Sequence, residues 1–92
     1  MIMLDMMKLT ILTADRRFYQ GEIKSIKVTN KEGILEVLPN HISLITTIIP
    51  SVTKFEDLEG KEHKLFTSAG ILRVKKGQVD LLCEDSKCVD NN

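Results

Sequence analysis

Apolar residues in this chain come in short alternating runs, broken by turn-forming residues about every eight to twelve positions, a rhythm that points to an all-β sandwich or barrel. No stretch longer than one turn carries the roughly 3.6-residue period of an amphipathic helix, so no helix is expected to contribute to the core. Leu9, Ile11 and Thr13 share one strand parity, with Leu12 and Ala14 on the other. Ile23 and Ile26 sit an odd number of positions apart, which in a regular strand would send them to opposite faces. A bulge near Lys24 and Ser25 returns both to the core. Asn30-Lys31-Glu32-Gly33 reads as a hairpin turn in which Gly33 takes positive φ. Further runs over residues 34–38, 44–49, 52–58, 63–67, 71–75 and 79–84 bring the expectation to about eight to ten short strands in one domain.

The chain has 92 residues, enough for one domain with a two-layer core. Its 13 basic and 13 acidic side chains cancel, which argues against a nucleic-acid or anionic-membrane binder, since these need a basic excess. Aromatic residues at 4% leave too few stacking platforms for a single-strand binder. The apolar opening run is interrupted by Asp5 and Lys8 and is shorter than the about 20 residues that span a bilayer. It also lacks the charge pattern and cleavage site of a signal peptide. Residues 1–7, which hold all four methionines, are expected to form a frayed extension, residues 8–85 the β domain, and residues 86–92 a short polar tail. Without an export signal, Cys83 and Cys88 are expected to remain thiols in a reducing compartment.

Intrinsic chemistry finds little support. Zinc sites pair closely spaced ligands, whereas His41 and His63 are far apart and Cys83 shares a strand with Leu81, so no metal is expected. No nucleophile-elbow pattern is present, and the glycines stand singly rather than in a phosphate-cradling loop. Hence no catalytic residue and no cofactor are assigned. A biotinyl- or lipoyl-type carrier would present one modified lysine at a hairpin tip. Lys31, Lys61 and Lys76 all lie in turns, but their neighbours do not match those families, and turn lysines ordinarily protect edges. A stand-alone adaptor is the other alternative. What stands out is residues 39–50, where Pro39-Asn40-His41 leads into a strand apolar on both faces. One face packs on the core; the other needs a second layer or a partner protein.

Four segments together resemble the amino-terminal domain of the epsilon subunit of rotary proton-translocating ATP synthases, called delta in mitochondria. They are Leu9-Thr10-Ile11-Leu12-Thr13-Ala14 with Tyr19-Gln20-Gly21; Val28-Thr29 and Glu32-Gly33-Ile34-Leu35 running to Pro39-Asn40-His41; Leu44-Ile45-Thr46 with Ile48 and Pro50; and Ser68-Ala69-Gly70-Ile71-Leu72 with Val79, Leu81 and Leu82. The sequence departs from the family pattern at Glu36, Asn40, Ser43, Ser51 and Ala69.

The resemblance implies a ten-stranded antiparallel β-sandwich or flattened barrel. It also implies a non-catalytic central-stalk role, binding the gamma subunit and the membrane rotor ring and so coupling proton-driven rotation to ATP synthesis in the catalytic head. Carried over position by position, the gamma-facing candidates are Thr13, His41 and Thr46, and the ring-facing turn is Lys31, Glu32 and Ile34. The implied location is the cytoplasmic face of the cell membrane, as a peripheral subunit that does not enter the bilayer. Family members commonly continue into a helix pair that these residues do not include, whether the chain is a natural short form or a piece of a longer one. ATP binding and inhibition of hydrolysis by that helix pair are therefore not expected of these residues.

Overall fold

The computed structural model describes residues 6–39 and 43–89. These residues form nine strands and no helix: β1 (Met7–Leu12), β2 (Arg17–Asn30), β3 (Gly33–Val37), β4 (Leu44–Ile48), β5 (Ser51–Asp57), β6 (Glu62–Thr67), β7 (Gly70–Lys75), β8 (Gln78–Cys83) and β9 (Ser86–Cys88). The hydrogen-bonded order is β4-β7-β8-β1-β2-β5-β6-β9, with β3 also paired to β2. The all-β sandwich expectation holds, with two refinements. Nine strands stand among the described residues where ten are expected, and one pairing, β1 with β8, is parallel.

Both refinements trace to long-range pairing. β2 runs unbroken for 14 residues, through Gly21. That glycine leaves room for the Tyr19 ring rather than ending a strand, since a Cβ there would stand 2.7 Å from the tyrosine hydroxyl. The first half of β2 pairs with β1 and its second half with β3 and β5, so one strand serves two layers. β4, β7, β8, β1 and early β2 make one layer; β3, late β2, β5, β6 and β9 make the other. Leu9, Ile11, Leu72 and Leu81 from the first pack with Val37, Phe55 and Leu65 from the second in a single core.

The local signals act as their chemistry requires. β2 pairs with β5 at Ile23–Asp57 and then Ser25–Glu56, skipping Lys24, and this irregularity lets Ile23 and Ile26 both be fully buried. Gly33 has φ 127°, and Asn30 Oδ1 accepts the Glu32 amide at 2.8 Å, closing the β2–β3 hairpin.

Two hydroxyls lie deep in the second layer. Thr53 and Thr67 are fully buried, and their Oγ1 atoms are 2.8 Å apart. Removing one hydroxyl strands the other, at a cost of about 1–3 kcal/mol, whereas removing both leaves nothing unpaired. Urea unfolding should therefore show Thr53→Val and Thr67→Val each destabilising, and the double variant less destabilised than the sum of the two.

Candidate functional site

β4 sits at one edge of its layer, paired only with β7. Leu44, Thr46 and Ile48 turn toward the core, while Ile45 is 71% exposed, so no described part of this chain covers its second face. The same doubling of apolar residues recurs across the layer. In each of Ile11-Leu12, Ile71-Leu72 and Leu81-Leu82, one residue is fully buried and its neighbour faces out.

Register brings the outward members together. Thr47 lies opposite Ile71, Ile71 opposite Leu82, and Leu82 opposite Leu12. With exposures of 44%, 40% and 37% for Ile71, Leu82 and Leu12, this is a continuous apolar row across three strands, β7, β8 and β1, with Thr47 of β4 at its end. The next row is polar beyond Ile45: Arg73 lies opposite Ile45 and Asp80, and Asp80 opposite Thr10. Arg73 Nη2 donates to Asp80 Oδ2 at 3.0 Å, and Gln78 Nε2 donates to Asp80 Oδ1 at 3.0 Å. An apolar strip with a tied polar border is the arrangement of a protein-docking surface.

The candidate residues named from the sequence fall around this strip. Thr13 follows β1 directly; its amide donates to Arg16 O at 2.9 Å, and its hydroxyl lies 3.1 Å from both Asp15 Oδ1 and Arg16 O. Thr46 is half-buried, accepts from Asn30 Nδ2 at 3.4 Å and donates to Thr47 O at 3.2 Å. His41 lies outside the described residues. Lys31 and Glu32 form the exposed hairpin turn, and Ile34 beside it is 75% exposed. The structure thus joins Thr46 to the base of the hairpin through Asn30, a link reinforced by Ile49 N donating to Thr29 O at 3.0 Å. Thr13 stands at the far side of the same layer. Sequence reasoning marks the strand holding Ile45 as apolar on both faces but does not single out Leu12, Ile71 or Leu82 as outward-facing, although the paired apolar residues that mark them are visible there.

A separate polar cluster closes the β5–β6 turn. Asp57 Oδ1 accepts the amides of Glu59 and Lys61 at 2.9 and 3.0 Å, while Oδ2 lies 2.9 Å from His63 Nε2. The hydrogen bond from His63, and next the Lys61 amide, hold the Asp57 carboxyl below its ordinary 3.8. A lowered folded-state value means stability that is present above about pH 4 and lost as the pH falls through that value. Asp57→Asn keeps an acceptor for the turn amides but loses the charge. The gap in unfolding free energy between native and variant chains should therefore narrow from about pH 5 to about pH 2, measured by denaturant titration at each pH.

Comparison with known proteins adds independent findings. Residues 6–87 match the family described as ATP synthase, Delta/Epsilon chain, beta-sandwich domain. The chain is 43% identical over 82 residues to an ATP synthase epsilon chain of Clostridium kluyveri, covering 89% of this chain and 62% of the relative. It is 39% identical over 85 residues to one of Clostridium botulinum, covering 92% of this chain and 64% of the relative. It therefore spans less than two thirds of the length of these curated relatives. Among solved structures, a chain of the Euglena gracilis mitochondrial ATP synthase superposes with a TM-score of 0.88 at 22% identity, over 95% of this chain and 56% of the other. A chain of the Tetrahymena thermophila mitochondrial ATP synthase central stalk and c-ring gives 0.71 at 13% identity, over 87% of this chain and 64% of the other. At those identities the two superpositions establish a shared fold.

Proposed function

Since the chain belongs to the delta/epsilon family of ATP synthase chains, as their β-sandwich domain, we propose that it serves as a non-catalytic subunit of the central stalk. In this reading the outer face of the β4-β7-β8-β1 layer grips the gamma subunit, and the β2–β3 hairpin tip meets the rotor ring. The observation that carries it is the row Ile71, Leu82 and Leu12 with Ile45 beside it, an apolar strip on a chain that has its own complete core. A partner that buries this strip gains its apolar area, and the Arg73–Asp80 pair can stay at the wet rim.

Torque transmission needs a body that does not yield, and a close-packed sandwich has low compressibility. The hairpin carrying Lys31, Glu32 and Ile34 is braced against β4 by the Asn30–Thr46 and Thr29–Ile49 hydrogen bonds, so a load on its tip passes into the gamma-facing layer. Thr13 and Thr46 flank that layer, and His41 precedes β4 in the sequence. The catalytic head is reached indirectly, through gamma. No helix of the described residues is long and apolar enough to cross a membrane, and the reading needs none, since the ring supplies the membrane-embedded part.

Photo-crosslinking in the assembled enzyme tests the arrangement. A crosslinker at Lys31 should capture a ring subunit, and one at Ile45 the gamma subunit. Capture of neither partner from either position contradicts the proposal.

A further inference from the structure

Early β2 continues past the end of β5, because β5 pairs with β2 only from Ile23 onward. The two layers therefore part near Arg17–Tyr19, and a cavity of about 430 Å³ opens between them, within the range of small-molecule sites. Its floor is aromatic. The Tyr19 and Phe55 rings stand 4.7 Å apart and tilted, while Phe55 and His63 stack 4.8 Å apart at 12°. Asp57 fixes the His63 ring through Nε2. Burial, and next the nearby Asp57 charge, raise the Tyr19 hydroxyl above its ordinary 10.0, so it is a neutral hydrogen-bonding group at physiological pH.

The rim is cationic. Arg16, Arg17 and Lys64 all line the cavity, and among the described residues no carboxylate does. None of the three forms an ion pair among the described residues: the carboxylates that do are Asp57, held by His63 and the turn amides, and Asp80, held by Arg73. The Arg16 guanidinium sits 5.5 Å from the centre of the Phe18 ring, and Arg17 Nη1 donates to Gln20 Oε1 at 3.1 Å. A chain of zero net charge thus concentrates three cations, none in an ion pair among the described residues, around an aromatic cleft.

We propose that this cavity binds a small planar aromatic anion, with its ring against Tyr19 and His63 and its phosphate or carboxylate group held by Arg16, Arg17 and Lys64. Aromatic faces accept an offset ring at 4.5–7 Å in typical pairs, and guanidinium groups hold planar carboxylates and phosphates through paired hydrogen bonds. Arg16 adjoins the stalk candidate Thr13 through its backbone carbonyl, but the site is tested on the free chain with no stalk partner present, so its failure and that of the stalk reading are distinguishable.

Amide correlation spectra of the 92-residue chain provide the test, titrated separately with phenyl phosphate, benzoate, inorganic phosphate and benzylamine. Phenyl phosphate, benzoate or both should give saturable shifts at Tyr19, His63 and Leu65, and the tighter of the two identifies the anionic group. Inorganic phosphate and benzylamine should bind at least tenfold more weakly. The Arg16→Ala/Arg17→Ala variant, altered only at exposed positions, should raise the dissociation constant tenfold or more, and Lys64→Ala severalfold. No saturable shift with either aromatic anion overturns the proposal. So does equal affinity for inorganic phosphate or for benzylamine, or unchanged affinity in both variants.

Discussion

Replacing Ile71 with aspartate should weaken binding to the gamma subunit about thirtyfold or more. A charge buried without a partner at an interface costs about 2–5 kcal/mol, and each 1.4 kcal/mol is tenfold in affinity. Ile71 lies opposite Thr47 on one side and Leu82 on the other, and it is the most exposed of the three apolar residues of the row. In the free chain the residue is 44% exposed, and the substitution should lower stability by only about 1 kcal/mol, the span of strand preferences. Val52→Asp is the matched control: also an outward apolar residue on a strand, but on the opposite layer. It should leave gamma affinity within about twofold. Titration calorimetry reads both, with denaturant unfolding to separate binding from folding.

The largest stability effect is expected at Gly70. A Cβ added there would collide with the Leu82 carbonyl oxygen and lie 2.9 Å from Cys83 Cα, so it meets backbone where β7 and β8 pair. Neither strand can yield without breaking the ladder that carries Ile71 and Leu82 side by side. Gly70→Ala should therefore cost about 3 kcal/mol or more, as overpacking against a rigid neighbour does. At roughly 4–8 °C per kcal/mol, its Tm should fall by more than about 12 °C in thermal unfolding. Gly21→Ala should cost much less, because the atom in its way is the hydroxyl at the free end of the Tyr19 side chain.

Features set within a few residues are legible in the sequence itself. The Ile23–Ile26 spacing locates the bulge at Lys24, and Asn30 with Gly33 locates the hairpin, because each rests on backbone geometry that neighbouring residues dictate. The exposed apolar face is legible only at its Leu44-Ile45 edge, where the strand is apolar on both faces. In Ile11-Leu12, Ile71-Leu72 and Leu81-Leu82 the pattern shows that one residue of each pair faces out, but not that three outward residues adjoin. That adjacency depends on register across β7, β8 and β1, including a parallel pairing between Leu12 and Leu82 that no local signal encodes. Thr46 illustrates the same limit, since its parity turns it toward the core and its hydroxyl reaches Asn30 from a distant hairpin. The Tyr19–Phe55–His63 stack also draws on three separate strands, and the sequence marks it only by the aromatic residue that precedes Gly21.

Hydroxyl-radical footprinting of the chain alone and bound to the gamma subunit tests the central claim most directly. The side chains of Leu12, Ile45, Ile71 and Leu82 should lose most of their reactivity on binding, while Val52 and Phe66, exposed on the opposite layer, keep theirs. Unchanged reactivity across the Leu12–Leu82–Ile71 row in a complex that has formed, or protection of Val52 and Phe66 instead, would contradict the claim that this face is the one gamma covers.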